Sequence, residues 1–573
     1  MCGIVGYTGF QNAVDVVFDG LKTLEYRGYD SAGIAVVGDK VQTFKTVGRV
    51  STLEKKLPRD KFFTAIGHTR WATHGVPLER NAHPHLSFDG KIAVVHNGII
   101  ENFKELKYAL TKQAVTFSSD TDSEIIAHLL ALNGDVDFLK RVETVSKLLK
   151  GASTFLAIRE GDDSIYCSKR GASLAIGLGE GENFVASDTL AICDYSKSVV
   201  PLSDGDVAKI SRDGIKVFAN GERVFRPAYA VSRTRPKISD CFMRSEIGEI
   251  PGAVARTLEG FLRTSGASGE EALARASKVL FVGCGTAYHA CIYAKHIFSR
   301  LLKKDCEAIE SSEFDETVVK RDSVAVFITQ SGETADTVLA AEKCKERGVY
   351  SIAICNVRGS LMSFVADAVY YTEAGAEVAV AATKSYVCQL ALVYALAKRC
   401  GGKTLDEKFV ENLSNCLETA VTQNAYTPCV LDKKLFFVGK GRDVVTAKEA
   451  ALKVKEITYR MTDAYPAGEL KHGPIALIDE ESFAVVIATE NKDESRVEAT
   501  VSELRSRGAY VLAVSGIGDI GANETINLPV PKDENLFPLV AILPLQNLAL
   551  KMSLELGLNP DKPRNLAKSV TVI

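Results

Sequence analysis

An internal repeat in the second half of the chain constrains the fold more than any other feature. Gly283 and Gly439 are 156 positions apart, and Arg347 and Arg507 are 160 apart, so one register holds across separate elements. The repeated stretches are KVLFVGCG at 278–285 and KLFFVGKG at 434–441, VAVFIT at 324–329 and FAVVIA at 483–488, and RGVYSIAI at 347–354 and RGAYVLAV at 507–514. Apolar strands alternate with long helical segments here, which predicts two tandem doubly wound α/β domains with ligands at the carboxyl ends of their strands.

The composition fits a globular protein with ample core material. Of 573 residues, 46% are hydrophobic and 25% are charged, and we expect three globular units. A net charge of -3 gives no overall basic excess for nucleic acid, and we find no run of 18 apolar residues that would span a bilayer. The start MCGIVGY lacks the features of a signal peptide. We therefore expect a cytoplasmic protein without nucleic-acid or membrane partners.

Thirteen cysteines are present, without a Cys-x-x-Cys pair or a zinc-like spacing. An odd number in a long chain argues against a disulfide framework, and most of these residues should be small buried hydrophobes. Cys2 is the exception because its position gives it a possible chemistry.

The first half of the chain has a different pattern from the second. Short apolar strands such as 33–37, 91–95 and 184–187 are separated by glycines and two longer helical stretches, which predicts an α+β domain over residues 1–228. The polar stretch AVSRTRPKIS at 230–239 predicts a linker, placed at 229–240. The two α/β domains then occupy 241–425 and 426–557, and a tail follows at 558–573.

Cys2 is a candidate nucleophile. Methionine before a small residue is commonly removed, which would place the thiol of Cys2 beside a free α-amine. An α-amine has a pKa of about 7.7 to 8.0 and can act as general base for the thiol. A cysteine at this position is weak support when taken alone, so the surrounding motifs decide the assignment.

Three further segments supply that context: GHTRWATHG at 67–75, HNGIIEN at 96–102 and SDTDSEIIAH at 119–128. The side chain of Asn97 and the N–H of Gly98 are candidate donors to an oxyanion, although Asn-Gly is also the commonest dipeptide of a hairpin turn. Arg70 suits a bidentate pair with the α-carboxylate of an amino acid, and Asp122 suits its ammonium group. Each of these two residues, taken alone, is more typical of a surface ion pair.

Together with Cys2–Gly6 and YRGYDSAG at 26–33, these segments resemble the glutaminase domain of the class that begins with an amino-terminal cysteine nucleophile. The resemblance implies that Cys2 is the nucleophile and that Asn97 and Gly98 form the oxyanion hole. It places around the glutamine the residues Arg70, Trp71, Thr73, His74 and Asp122. Several amidotransferase families share this domain, so it does not identify the acceptor of the ammonia.

The segment TQSGETADT at 329–337 occupies the position of a phosphate-binding loop, between a strand and a helical run from Ala335. Hydroxyls of Thr329, Ser331 and Thr334, with N–H groups at the helix start, would complement a phosphate. The alternative is an ordinary Ser/Thr capping segment. The corresponding stretch of the second repeat, TENKDES at 489–495, is acidic and would repel phosphate. We therefore expect one phosphate site per chain, in the first repeat.

The helix predicted over 448–459 carries Glu449, Lys453 and Glu456 on one face, at spacings i, i+4 and i+7. The alternative is a solvated ion pair. His472, between glycines, is a candidate acid or base near neutral pH. Lys568 lies in the carboxyl-terminal tail and would form a Schiff base with a carbonyl substrate if the tail folds over a site, although such tails are usually frayed.

Seven motifs carry a resemblance over nearly the whole chain: CGTAYHA at 284–290, SSEF at 311–314, QSGETADT at 330–337, ICNV at 354–357, ALKVKEITY at 451–459, AGELKHGP at 467–474 and PRNLAKSVTV at 563–572. They resemble the glutamine:fructose-6-phosphate aminotransferase (isomerising) family. The resemblance implies transfer of ammonia from glutamine to fructose 6-phosphate, giving glucosamine 6-phosphate in the first step of hexosamine synthesis. It also implies two sugar isomerase domains, a homodimer, internal passage of ammonia gated by Trp71, and no redox cofactor or metal.

By the same resemblance, Lys568 engages the open-chain ketose and Glu456 moves a proton between C1 and C2. His472 assists ring opening from the neighbouring subunit, while Glu449 and Lys453 orient and balance Glu456. The implied sugar-phosphate contacts are Cys284, Gly285, Thr286, Thr329, Gln330, Ser331, Thr334, Val380 and Ala567.

The chain departs from the family pattern at Ala287, Thr329 and Ala382, where many members carry serine, and at Ile573, where the family usually ends in glutamate. Ala287 and Ala382 cannot donate to a phosphate. Two alternative families, amidophosphoribosyltransferase and asparagine synthase, share the amino-terminal glutaminase domain. We find neither the acidic pair of the first nor the Ser-Gly-Gly-x-Asp-Ser loop of the second. A non-catalytic sugar-phosphate sensor is the remaining alternative.

Overall fold

The computed structural model describes residues 2–71, 75–132, 136–230, 239–264 and 268–570. Its contacts divide the chain into two units, Met1–Arg235 with Ser569–Ile573, and Pro236–Lys568.

The first unit contains two antiparallel sheets. Its strands are β1 (Gly3–Thr8), β2 (Ser31–Val37), β3 (Val41–Val47), β4 (Thr64–Arg70), β5 (His85–Leu86), β6 (Ile92–Gly98), β7 (Ser153–Arg159), β8 (Asp162–Ser168), β9 (Ala175–Leu178), β10 (Asn183–Ala186), β11 (Ser198–Pro201), β12 (Asp206–Ser211), β13 (Gly214–Ala219), β14 (Glu222–Val224) and β15 (Tyr229–Ala230). One sheet has the order β15-β11-β9-β10-β1-β4-β2-β3, and the other has the order β14-β13-β12-β8-β7-β6-β5.

Successive side chains along each strand point to opposite faces of the sheet, and the two faces belong to different layers of this unit. The side chain of Ile4 packs into a cluster that both sheets supply, together with Val95 and Leu156, whereas its neighbour Val5 packs with helix residues on the opposite face. The helices are α1 (Ala13–Leu24), α2 (Val50–Leu53), α3 (Phe103–Lys112), α4 (Glu124–Leu132) and α5 (Phe138–Leu148). Helix α1 covers the first sheet, while α4 and α5 pack with strand residues of the second. The predicted α+β domain is thus confirmed.

The second unit contains two parallel sheets of five strands. The strands are β16 (Lys278–Gly283), β17 (Asp305–Glu310), β18 (Val324–Thr329), β19 (Tyr350–Cys355), β20 (Ala368–Tyr371), β21 (Lys434–Gly439), β22 (Thr462–Pro466), β23 (Ser482–Ala488), β24 (Tyr510–Ser515) and β25 (Glu524–Asn527). The orders are β17-β16-β18-β19-β20 and β22-β21-β23-β24-β25, which are the same topology twice. The three repeated stretches lie on equivalent strands, so the prediction of two tandem doubly wound domains is confirmed.

The helices of the second unit are α6 (Phe242–Gly248), α7 (Ile250–Arg263), α8 (Ser268–Arg275), α9 (Thr286–Leu302), α10 (Ala335–Glu346), α11 (Leu361–Val365), α12 (Lys384–Cys400), α13 (Glu407–Val421), α14 (Asp443–Thr458), α15 (Glu494–Arg505) and α16 (Phe537–Glu555). Apolar residues of α12, α14 and α16 join strands of both sheets in one core cluster. The segment Glu534–Glu555 has the length and the mean hydropathy, 1.4, of a membrane span, so the expectation that no segment is apolar enough was too strict. The most apolar 18-residue window of this segment is 89% buried inside the unit, so the segment is accounted for as a core helix.

Candidate active sites

Cys2 lies at the start of β1 and faces the end of β4. The backbone N–H of Trp71 donates to the sulfur at 3.4 Å, and the thiol lies 3.6 Å from the carbonyl oxygen of the same residue. Burial raises the pKa of the Cys2 thiol, while the N–H of Trp71 and the positive charges of Arg70 and Arg27 oppose that rise. The thiol therefore sits in a pocket that favours the thiolate more than burial alone would.

Asn97 and Gly98 form the end of strand β6, which pairs with β7 as far as Ser153. The hairpin-turn alternative for this dipeptide is therefore wrong. The side-chain N–H of Asn97 donates to the carbonyl oxygen of Cys2 at 3.1 Å. Gly98 has a φ of +134°, and a Cβ at this position would lie 2.0 Å from the carbonyl oxygen of Ala152. Only glycine fits at this position, where the chain leaves the strand.

His68 is a site residue that the sequence reasoning missed, although it lies in the GHTRWATHG motif. Its Nε2 is 3.2 Å from Oδ1 of Asn97 and 3.0 Å from the carbonyl oxygen of His96. Burial lowers the pKa of His68 to about 3, so the ring is neutral, and two acceptors at Nε2 place its one proton there. This contact fixes the amide of Asn97 with its oxygen toward His68 and its N–H groups toward Cys2.

Arg70 and Asp122 are both buried, at 3% and 5% exposure, so the alternative of a surface ion pair is wrong. Arg70 donates to the carbonyl oxygen of Gly75 at 2.9 Å, and Asp122 accepts from the N–H of Ile100 at 2.8 Å. Burial lowers the pKa of Arg70, and the negative charges of Cys2, Asp30 and Asp122 oppose that change.

Trp71 stacks edge to face on Tyr29, with ring centroids 5.4 Å apart. Thr73 and His74, predicted to contact glutamine, lie outside the described residues.

The second unit contains a cavity of about 150 Å³ at the carboxyl ends of the strands of the first repeat. Its lining comprises Cys284, Thr286, Ala287, Ile328, Thr329, Gln330, Ser331, Thr334, Thr337, Val380, Ala382, Ser385, Gln389, Glu456, Leu566, Ala567 and Lys568. Ten of the predicted site residues are therefore brought together. Gly285 stands just before α9 with a φ of +54°, a conformation that favours glycine. Ala287 and Ala382 form part of the cavity wall, but their side chains cannot donate hydrogen bonds.

The loop after β18 provides hydroxyls and a helix start. Thr329 accepts from the N–H of Gly332 at 3.2 Å, and Ser331 accepts from the N–H of Glu333 at 3.1 Å. Thr334 is the N-cap residue of α10, but its side chain makes no capping bond. Thr334 is among the residues that line the cavity, and simple capping does not account for it.

Helix α14 carries the three predicted charged residues on one face. Nζ of Lys453 lies 3.4 Å from Glu449 and 2.5 Å from Glu456, and it donates to the hydroxyl of Thr286 at 2.9 Å. Lys453 and Glu449 have side chains that are 0% exposed, so the solvated ion-pair alternative is wrong. Burial would lower the pKa of Lys453, but Glu449 and Glu456 outweigh it and raise that pKa. His289, whose role the sequence reasoning missed, contacts Glu449 at 2.6 Å through Nδ1.

Lys568 is held by a buried carboxylate that the sequence reasoning also missed. Its Nζ lies 2.5 Å from Oε2 of Glu377 and donates to the carbonyl oxygen of Ala379 at 2.8 Å. Burial alone would raise the pKa of Glu377, but Lys568 and the hydroxyl and N–H of Ser385 lower it to about 2. The tail is therefore anchored at this point by an ammonium–carboxylate pair.

His472 is exposed, in the short 3-10 helix Glu469–His472, and is not among the residues that line the cavity of the same chain. This is the one predicted catalytic residue of the second unit that the chain does not itself bring to the site.

The equivalent loop of the second repeat is filled by its own side chains. Arg442 is 1% exposed and donates to the carbonyl oxygen of Thr489 at 3.0 Å. Asp443 accepts from the N–H of Thr489 at 2.8 Å, and burial raises the pKa of this carboxyl to about 7. A guanidinium and a carboxyl thus occupy the place that hydroxyls and cavity occupy in the first repeat.

Two family models match the chain. Residues 57–148 match the glutamine amidotransferase domain, and residues 272–399 and 432–556 match the SIS domain.

Full-length relatives match from end to end. A glutamine–fructose-6-phosphate aminotransferase (isomerizing) from Aquifex aeolicus is 41% identical, and one from Thermococcus kodakarensis is 40% identical, each with complete coverage of both chains. Among solved structures, the C-terminal domain of glucosamine-fructose-6-phosphate aminotransferase from Francisella tularensis matches 58% of this chain and 100% of its own length, with a TM-score of 0.51 and 28% identity.

Proposed function

The chain belongs to the glutamine–fructose-6-phosphate aminotransferase (isomerizing) family, and from this membership we propose that it transfers ammonia from glutamine to fructose 6-phosphate. The products are glutamate and glucosamine 6-phosphate. The observation that carries the proposal is the cavity in which Lys568, Glu456 and the hydroxyl loop after β18 meet.

In the first half-reaction, the α-amine left by removal of Met1 takes the thiol proton of Cys2. The thiolate attacks the side-chain carbonyl carbon of glutamine, and the N–H groups of Asn97 and Gly98 stabilise the oxyanion. Collapse of the tetrahedral intermediate breaks its C–N bond. The departing nitrogen takes up the proton held by the α-amine, and ammonia leaves. Water then cleaves the thioester to glutamate. Around the substrate, Arg70 and Asp122 bind the α-carboxylate and ammonium, with Trp71, Thr73 and His74 completing the site.

In the second half-reaction, the sugar phosphate binds at the start of α10. Hydroxyl and N–H groups there complement the dianion. The phosphate-binding set is Thr329, Gln330, Ser331 and Thr334, and the wall of the sugar site is formed by Cys284, Gly285, Thr286, Val380 and Ala567. Lys568, once deprotonated, forms a C–N bond to C2 of the open-chain ketose, and the carbonyl oxygen leaves as water.

Ammonia then displaces Lys568 from C2. Glu456 takes a proton from C1 of the resulting imine and returns one to C2, while the hydroxyl proton at C1 passes to the nitrogen, which leaves an amine at C2 and an aldehyde at C1. Glu449 and Lys453 hold Glu456 in place, and His472 of a neighbouring subunit assists ring opening. The same proposal includes a homodimer in the cytoplasm. It also includes the division of the chain into residues 1–228, 241–425, 426–557 and 558–573.

The test is a coupled assay of the purified protein with glutamine and fructose 6-phosphate, in which glutamate and glucosamine 6-phosphate are measured together. We expect both products to form in step. Cys2→Ala should abolish use of glutamine, and Lys568→Ala should abolish the amino sugar. Glutamate without amino sugar in the unmodified protein would mean that the acceptor is wrong, and sugar binding without either product would indicate a sensor.

A further inference from the structure

Helix α6 carries a buried carboxyl group that the mechanism above does not use. Glu246 is 3% exposed, and its Oε1 accepts from the backbone N–H groups of Val378 and Ala379, the second at 3.3 Å. Its Oε2 is buried and has no hydrogen-bond partner among the described residues. A buried carboxyl oxygen without a partner is costly and requires an explanation.

The segment that Glu246 binds is the one that holds Lys568. From the other side, Nζ of Lys568 contacts Glu377 at 2.5 Å and the carbonyl oxygen of Ala379 at 2.8 Å. Glu246 and Lys568 therefore contact the same peptide segment, one through its N–H groups and the other through its oxygens. A shift of this segment would move both acceptors of the ammonium group.

Helix α6 also fixes the tail that carries Lys568. The carboxylate of Asp561 accepts from the N–H groups of Phe242 and Met243 at 2.8 and 2.7 Å, at the start of α6. The carbonyl oxygen of Asp561 accepts from the N–H of Val380 at 3.1 Å. The helix, the segment 377–380 and the tail thus form a closed set of contacts around the lysine.

We propose that Glu246 is a positioning residue for Lys568, which as a neutral acid fixes the segment 377–379 and leaves Glu377 as the single charge paired with the lysine. This inference rests on the proposed role of Lys568 as the amine that reacts with the ketose. Glu246 itself does not touch the sugar, since it is not among the residues that line the cavity.

The charges around Glu246 support the neutral form. Burial and the negative charge of Glu377 raise the pKa of Glu246 to about 8, against the opposing charges of Lys568 and Lys384. Lys384 is itself paired with Glu249 at 2.6 Å, and the other ionisable groups near α6 in the described part of the chain include Cys241, Arg244 and Asp561. Below pH 8 the ammonium thus faces one carboxylate. Above it, ionised Glu246 adds a second negative charge that holds the lysine in its unreactive charged form.

The experiment traps the imine with borohydride. Protein and fructose 6-phosphate are reduced between pH 6.5 and 9.5, and the adduct at Lys568 is measured by peptide mass. We expect Glu246→Ala to lose at least tenfold in trapping, with glutamine hydrolysis unchanged. Glu246→Gln keeps the acceptor oxygen but cannot ionise, so it should trap normally at pH 7 and lack a decline above pH 8. Glu259→Gln, an exposed change on α7, is the matched control and should behave as the unmodified protein.

Equal trapping by Glu246→Ala and the unmodified protein would overturn the positioning role. A decline above pH 8 that persists in Glu246→Gln would also overturn it, and this comparison remains decisive if Glu246→Ala fails to fold. If the unmodified protein forms no adduct at Lys568, the proposed role of that lysine fails, and this inference fails with it.

Discussion

At the scale of single residues, Asn97, the proposed oxyanion donor, depends on a neighbour for its orientation. A side-chain amide presents donors or an acceptor according to which way it is turned. His68, neutral and buried, donates to the oxygen of Asn97 and so turns its N–H groups toward Cys2. Because the pKa of His68 is lowered to about 3, this orientation is maintained at every pH at which the enzyme would work.

We therefore expect Asn97→Ala to lower kcat for glutamine hydrolysis by roughly 10²- to 10³-fold, with a small change in KM, since an oxyanion donor acts mainly in the transition state. His68→Phe should lower kcat by about tenfold or more, and His68→Gln, which retains a donor, should recover part of the loss. The double variant should be no worse than Asn97→Ala alone. Steady-state kinetics test this, with Asn102→Ala as a control because the side chain of Asn102 is hydrogen-bonded to backbone groups of residues 148 and 150. Additive losses would contradict the dependence.

Sequence reasoning predicts site residues where a local motif carries the chemistry, as at Cys2, Asn97 and Lys568. It missed His68 and Glu377 because their importance comes from contacts made by folding. His68 lies 29 positions from Asn97, and Glu377 lies 191 positions from Lys568. A buried histidine or glutamate has no distinctive spacing before the strands and tail have come together.

At the scale of elements, helix α14 brings three charges into a buried site and balances them internally. Lys453 is the cation between Glu449 and Glu456. Its side chain is 0% exposed, so water could not take its place in compensating the two carboxylates. Removing one partner of such a group leaves uncompensated buried charge.

We expect Lys453→Met to lower the free energy of unfolding of the second unit by roughly 3 to 5 kcal/mol and to abolish formation of amino sugar. Lys455→Met, two positions along the same helix, should change it by less than about 0.5 kcal/mol, because Lys455 is 47% exposed and lies 3.9 Å from Asp463. Urea unfolding followed by circular dichroism compares the two. Similar stability for both variants would mean that the ammonium does not balance the carboxylates.

A cluster of four buried histidines joins strands β4, β5 and β6 in the first unit. The rings of His68 and His83 lie 4.0 Å apart, and those of His83 and His85 lie 4.5 Å apart. Burial lowers the pKa of each of these and of His96. Since the unfolded chain takes up protons near pH 6.5 and the folded one does not, the stabilisation is complete above pH 6.5 and is lost as the pH falls.

The first unit should therefore lose stability between pH 6.5 and 3, and His68 alone should account for on the order of 4 kcal/mol by pH 3.5. Trp71 is the only tryptophan, so its fluorescence during urea unfolding reports this unit. His68→Gln should show a shallower loss of stability with acid. An unchanged slope in that variant would mean that His68 titrates in the folded unit as it does in the unfolded chain.

The two halves of the chain differ in how far their elements could be predicted. The repeat predicted both parallel sheets because each strand and its following helix are local units, and the predicted helix at 448–459 is the end of α14, which stops where Tyr459 takes a φ of +60°. The sheets of the first unit were predicted only as a class. Strand β1 lies between β10 and β4, and pairs of strands so distant in sequence leave no periodic signal.

At the scale of the whole molecule, the proposal that His472 acts from a neighbouring subunit fits its exposed position and its absence from the cavity lining of its own chain. A closed homodimer would contain two such shared sites. His472→Ala and Lys568→Ala should each be inactive in amino-sugar formation. After unfolding and refolding together in equal amounts, half of the dimers would be mixed, each with one intact site, and about one quarter of full activity should return.

The measurement is amino-sugar formation by the refolded mixture, with each variant refolded alone as control and sedimentation to establish that dimers form. No recovery by a dimeric mixture would place His472 in the site of its own chain, or outside the site altogether.

Helix α14 belongs to the second repeat, yet its Glu456 lines the cavity of the first, while the loop of its own repeat is filled by Arg442. A chain with a single copy of this domain would have to borrow that glutamate from another molecule, and its activity would fall on dilution. When two copies are joined in one chain, the glutamate is held near the cavity at an effective concentration in the millimolar range or above, and no second molecule is needed to supply it. Once the donor copy was always present, its own binding loop was no longer needed for ligand, and a guanidinium could fill it.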